Sequence, residues 1–133
     1  MGHSDAESPT VFVIDDDADM CASLAGLLKS VGLRAETFES AQEFLSREQS
    51  DGPRCLLLDF TLSSMNGFEV QRKLSEAGVQ IPIIFISGFS DIPTSARALA
   101  SGAVDFLTKP FREQDLLDAI QEALNRDRRM RRR

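Results

Sequence analysis

Three consecutive carboxylates follow one short apolar run, a lone carboxylate ends a second, and a hydroxyl and an ammonium follow two more. The runs are Val11-Phe12-Val13-Ile14 before Asp15-Asp16-Asp17, Cys55-Leu56-Leu57-Leu58 before Asp59, Ile81-Pro82-Ile83-Ile84-Phe85-Ile86 before Ser87-Gly88, and Val104-Asp105-Phe106-Leu107 ahead of Lys109-Pro110. Near-continuous apolar runs of this length are what parallel strands buried on both faces require. In an open parallel sheet, ligands sit at the carboxyl ends of the strands, near the point where strand order reverses. Asp15, Asp16, Asp59, Ser87 and Lys109 are therefore expected to meet in one crevice.

Partly desolvated carboxylates repel one another, so such a crevice holds either a proton or a cation. Carboxylate, carbonyl and water oxygens suit Mg²⁺ or Mn²⁺. A cation there would offset the charge of an incoming phosphoryl group. Lys109 and Ser87 could hold its oxygens, and a carboxylate could accept it as an acyl phosphate.

Helical periodicity fills the gaps between the runs. Met20, Leu24, Leu27, Leu28 and Val31 share one face and end at Gly32; Ser40 caps a short helix with Ala41, Phe44 and Leu45. Asn66-Gly67 opens a helix carrying Phe68, Gln71 and Leu74 and stopping at Gly78, and Asp91 opens another with Pro93 in its first turn and Ala96, Leu99 and Ala100 after it. The last helix starts near Glu113 and places Leu116, Leu117, Ile120 and Leu124 inward. A more polar strand at Arg34–Phe38 belongs at a sheet edge. Alternation of strand and helix five times over implies a parallel α/β sheet with helices on both faces.

With 133 residues, 42% hydrophobic and 27% charged, the chain suits one globular domain with a core of its own. Residues 1–8 read as a cloning remnant or disordered N-terminus, 9–125 as the folded domain, and 126–133 as an Arg-rich helix extension or the start of a linker. Net charge is −6, yet the six Arg and one Asp from Arg126 to Arg133 carry +5, so −11 resides elsewhere, and the acidic body is a poor nucleic-acid binder. No apolar run approaches the roughly 20 residues of a membrane span, and no secretory signal is recognisable, so a cytoplasmic location is expected. Cys21 and Cys55 have no metal or redox spacing and read as core fillers.

In these motifs the chain resembles a response-regulator receiver domain of two-component signalling over about residues 10–125, most closely receivers joined to LuxR-type helix-turn-helix output domains. The quoted stretches are Val13-Ile14-Asp15-Asp16-Asp17, Leu57 to Gly67 around Asp59, Phe85-Ile86-Ser87-Gly88, and Phe106-Leu107-Thr108-Lys109-Pro110-Phe111. The resemblance implies the flavodoxin-like (βα)5 fold, with one five-stranded parallel sheet in order 2-1-3-4-5 and five helices on its two faces. It implies Asp59 as phosphoacceptor for a sensor histidine kinase and Lys109 and Ser87 as its helpers. It implies Mg²⁺ or Mn²⁺ bound by Asp16, Asp59 and the Thr61 carbonyl, with Asp15 acting mainly through water. Ser87 and Phe106 become switch residues, Thr61 and Phe89 tune dephosphorylation, and Lys109-Pro110 is a cis peptide. A phosphorylation-dependent homodimer through the fourth helix and fifth strand is implied, with DNA reached only through a domain not in this chain and no membrane contact.

Two departures stand out. Leu62-Ser63 replaces the Met-Pro frequent in such domains, which is expected to loosen that turn because proline's fixed φ is lost. Phe106 stands where tyrosine is also common, so any switch at that site works by packing alone. Asp17 is expected to cap the first helix or face solvent, Asp105 to lie on a loop or the surface, and Ser90 and Asp91 to cap rather than ligate. A haloacid-dehalogenase-type phosphatase would need a second Asp where Thr61 stands. A stand-alone adaptor working by protein contacts is the remaining alternative, and no G-x-G-x-x-G or Walker A pattern supports nucleotide binding.

Overall fold

The computed structural model describes residues 8–47, 52–63, 65–89 and 91–131. Strands and helices alternate: β1 (Thr10–Ile14), α1 (Ala18–Ser30), β2 (Arg34–Phe38), α2 (Ala41–Ser46), β3 (Arg54–Asp59), α3 (Gly67–Glu76), β4 (Ile83–Ser87), α4 (Ile92–Ala100), β5 (Asp105–Thr108) and α5 (Glu113–Arg131). The five strands form one parallel sheet in the order β2-β1-β3-β4-β5, with β2 at an edge. Chain order reverses at β1, which lies between β2 and β3.

The strands' two-residue period divides the core in two. Val11, Val13, Cys55, Leu57, Ile84 and Ile86 pack against residues of α1 and α5, including Leu24, Leu28, Leu116 and Ile120. Phe12, Ile14, Leu56, Leu58, Ile83 and Phe85 face Phe44, Val70, Leu74 and Ala98 of α2, α3 and α4. Both cysteines are fully committed to this interior, and burial pushes their thiols up, away from the reactive thiolate. Cys21 is more than filler, because its Sγ donates to the Asp15 carbonyl at 3.3 Å.

Helix starts are set by side-chain caps. Asp17 accepts from the N–H groups of Asp19 and Met20, Ser40 from Glu43, and Asp91 from Thr94. Asn66 and Glu69 form a reciprocal capping box at α3. Ser90, expected as a cap, lies outside the described residues, as do residues 1–7, 132 and 133.

Three expectations of helix facing change. Val31 is 47% exposed because it is the C-cap of α1, beyond the last full turn. In α3 Val70 and Leu74 are buried and Phe68 is partly buried against the same core, with Arg97 over its ring at 4.0 Å, while Gln71 turns toward α4, its Nε2 donating to Ser101 Oγ at 3.0 Å. In α4 only Ala98 is buried, leaving Ala96, Leu99 and Ala100 on the outer face.

Helix α5 continues through Arg126 to Arg131. Asp127 within that stretch is buried; it accepts from the Arg54 N–H that begins β3 at 2.9 Å and from Arg131 Nε at 2.7 Å. This contact clamps the end of α5 to the amino-terminal rim of the sheet. Asp127→Ala removes the acceptor from a buried N–H, so urea unfolding should report a loss of about 1–3 kcal/mol.

Candidate functional site

Parallel register brings the carboxyl ends of β1, β3, β4 and β5 to one rim. Ile14 pairs with Leu58, Asp59 with Ile86, and Ser87 with Thr108, so Asp15, Asp59, Ser87 and Lys109 lie at or just beyond adjacent strand ends. One carboxylate oxygen from each of Asp15, Asp16 and Asp59 lies within 4.8 Å of the others, close enough to share a cation. The all-oxygen donor set fits Mg²⁺ or Mn²⁺, and the carboxylates outnumber the one ammonium that reaches them among the described residues.

Lys109 Nζ lies 3.4 Å from Asp15 Oδ2 and 4.0 Å from Asp59 Oδ2. Its N–H donates to the Ser87 carbonyl at 2.7 Å, which fixes the loop after β5 against the end of β4. The Lys109-Pro110 peptide is cis, as expected. Asp59 is buried and accepts from the Thr61 N–H at 3.1 Å. Asp15, also buried, accepts from the Asp17 N–H at 2.9 Å and is held through its own N–H by the Phe38 carbonyl.

Asp16 is exposed and points across to the loop after β3. Its Oδ2 accepts from the Ser63 N–H at 3.0 Å and from the Ser63 hydroxyl at 2.6 Å. Ser63 therefore ties the turn that it was expected to loosen. An antiparallel bridge between Thr61 and Asn66 and the Leu62 N–H to Met65 carbonyl bond complete that turn. The clue in the sequence was residue type: serine supplies two donors where proline has none.

No hydrogen bond joins Ser87 to Asp59 among the described residues. The Ser87 hydroxyl instead donates to the Phe89 carbonyl at 2.5 Å and accepts from the Phe89 N–H at 3.1 Å. That closed turn leaves the Phe89 ring 72% exposed. Asp105 is the first residue of β5, where its Oδ1 accepts from the Phe106 N–H.

Phe60, which sequence reasoning passed over, directly follows Asp59. Its ring meets Phe106 at 5.6 Å, Phe85 at 5.5 Å and Phe68 at 4.9 Å between centroids. A methyl group on Gly67 would come within 2.7 Å of Phe60 and 2.6 Å of Phe85, so close packing of the rings depends on that glycine. Half-buried Phe106 thus touches the residue next to Asp59 without any hydroxyl to direct it.

With this geometry in hand, comparison with known proteins places the chain in a family. A family model, response regulator receiver domain, matches residues 11–121, and the chain belongs to that family. It is 48% identical over 122 residues to the response regulator protein TmoT of Ectopseudomonas mendocina, covering 92% of this chain and 56% of TmoT. Nodulation protein W of Bradyrhizobium diazoefficiens is 47% identical over 131 residues, covering 98% of this chain and 58% of that protein. Among solved structures, the response regulator StyR matches with a TM-score of 0.85 at 43% identity, over 94% of this chain and 63% of that one, and FixJ-N with 0.79 at 33%, over 90% and 95%. The chain spans a little over half the length of the curated relatives that it matches. No helix among the described residues is long and apolar enough to cross a membrane.

The Asp59 carboxyl is pushed up to about 6, first by burial and then by the charge of Asp15, against the pull of the Thr61 N–H and Lys109. The native state then holds a proton that the unfolded chain has already lost. Ionisation therefore opposes folding: the cost is absent below about pH 4, grows between about pH 4 and 6, and is complete above. In cation-free buffer Asp59→Asn should melt higher than the parent near pH 7.5, with the gap closing as pH falls toward about 4. A gap unchanged across that range would contradict this origin.

Proposed function

We propose that this receiver domain takes a phosphoryl group onto Asp59 from the phosphohistidine of a sensor histidine kinase. The observation that carries the reading is the meeting of Asp15, Asp16 and Asp59 within one cation's reach, with Lys109 Nζ beside two of them. An Asp59 carboxylate oxygen attacks phosphorus in line; a P–O bond forms, the P–N bond breaks, and its electron pair returns to the imidazole. Mg²⁺ or Mn²⁺, held by Asp16, Asp59 and the Thr61 carbonyl with Asp15 through water, would offset the negative charge gathered at the transferring group.

This chain's own groups supply the rest. Lys109, already beside Asp59, presents an ammonium to the phosphoryl oxygens. Ser87 reaches the same oxygens only by giving up the Phe89 carbonyl, so acylation of Asp59 competes with the closed turn after β4. Opening that turn moves Phe89 and the start of α4. Phe106, packed on Phe60 and Phe85, then repacks, and the outer face of α4 and β5 changes its affinity for a partner. Thr61 and Phe89 flank the acyl phosphate and set the access of water to it. The domain is a switch, with phosphotransfer to itself and its own dephosphorylation as the chemistry.

The partner surface comprises the exposed Ala96, Leu99 and Ala100 of α4 with Phe106 and Leu107 of β5, and the partner is a second copy of the domain. Output is transcriptional, through a LuxR-type DNA-binding domain outside this chain, and the site of action is the cytoplasm. Direct DNA contact by the Arg-rich stretch is less well supported, since Arg126 and Arg129 pair with Glu122, Arg131 with Asp127, and Arg128 with Asn125.

Incubation with a small phosphodonor and Mg²⁺ should add one phosphate, read by intact mass. Asp59→Asn should abolish the adduct, chelation should prevent it, and Lys109→Ala should slow its formation by about tenfold or more, as expected for loss of one charged contact to the transferring group. An adduct that persists in Asp59→Asn would overturn the assignment.

A further inference from the structure

Two donors of one residue converge on one oxygen of Asp16. Ser63 sits four residues beyond Asp59, yet its N–H and hydroxyl both reach Asp16 Oδ2, at 3.0 and 2.6 Å, across a separation of 47 residues. The other oxygen, Oδ1, accepts no hydrogen bond among the described residues. Both Asp16 and Ser63 are exposed, so burial does not fix their conformations. A solvent-facing aspartate otherwise samples several rotamers, and binding a cation must then select one.

We infer that Ser63 is a positioning residue for the cation site. It holds the Asp16 carboxylate through Oδ2, so that the group stays where one of its oxygens lies within 4.8 Å of those of Asp15 and Asp59. The inference rests on the reading that those three carboxylates bind a divalent cation. Two further features support it. Ser63 lies two residues after Thr61, so the same contact ties the loop after β3, which carries the Thr61 carbonyl, to the loop after β1, which carries Asp16. Both donors are uncharged, so they set the direction of the carboxylate without bringing a positive charge that would compete with a cation. Proline at this position would offer neither donor.

The experiment is titration calorimetry of the phosphate-free chain with Mg²⁺ and, separately, Mn²⁺, alongside thermal unfolding without added cation. Ser63→Ala keeps the amide and loses the shorter bond, and Mg²⁺ affinity should fall about five- to tenfold; tenfold corresponds to about 1.4 kcal/mol, near the lower end for a hydrogen bond to a charged group. Ser63→Pro should fall further, and Ser63→Thr, which retains both donors, should stay within about twofold of the parent. A purely structural brace would instead lower the cation-free melting temperature and leave affinity unchanged. Parent binding together with equal or tighter binding by Ser63→Ala would overturn the inference alone. Failure of the parent to bind either cation would overturn the cation reading and this inference with it.

Discussion

Like charge crowded into a half-closed crevice is the constraint around which the rest of this molecule is arranged. Asp15 and Asp59 are buried at the ends of adjacent strands, and Asp16 stands beside them. The sheet cannot separate them, because parallel register places the ends of β1 and β3 side by side. Lys109, brought in by the Ser87 carbonyl and the loop after β5, offsets part of that charge. Asp59 is displaced upward to about 6, first by its burial and then by the charge of Asp15 that Lys109 only partly offsets. A site in this condition has affinity for whatever brings positive charge, and on the proposed reading a divalent cation prepares it for the phosphoryl group.

On the proposed reading, the same crowding would supply the leverage for switching. Ser87 is turned into its own loop, and its hydroxyl is satisfied by Phe89. An acyl phosphate at Asp59 would offer it a charged acceptor in place of a neutral carbonyl, and hydrogen bonds to charged acceptors are the stronger. The aromatic group of Phe60, Phe68, Phe85 and Phe106 lies directly behind this rim. Ring packing has discrete arrangements rather than a continuum, so a displacement at the rim can be passed to the α4–β5 face as a repacking. Arg97 over Phe68 and Gln71 against Ser101 join α3 to α4 beside that aromatic group.

At the opposite rim, Asp127 gives α5 a fixed exit. With the Arg54 N–H and Arg131 both directed at it, the helix end is held by the start of β3. Any segment that follows in a longer protein would leave from a defined point on the sheet. The matched segments cover only 56% and 58% of TmoT and nodulation protein W, which gives that exit its interest.

Much of this was legible without coordinates, and the reason is chemical. Strands buried on both faces must be continuously apolar, caps need short polar side chains, and a phosphoryl site needs acids, a hydroxyl and an ammonium at strand ends. The fold, the strand order through family resemblance, and the grouping of Asp15, Asp16, Asp59 and Lys109 follow from residue type and order. Facing was less legible. In α4, short and rich in small residues, Ala98 and not Ala96, Leu99 or Ala100 meets the sheet, because periodicity in nine residues does not fix rotation about the helix axis. The Ser63–Asp16 tie, the Phe60 contact with Phe106 and the burial of Asp127 each join residues remote in sequence. Only chain packing decides such contacts, since a serine, a phenylalanine or an aspartate is the same residue whether or not a partner 47 or 73 positions away comes within reach.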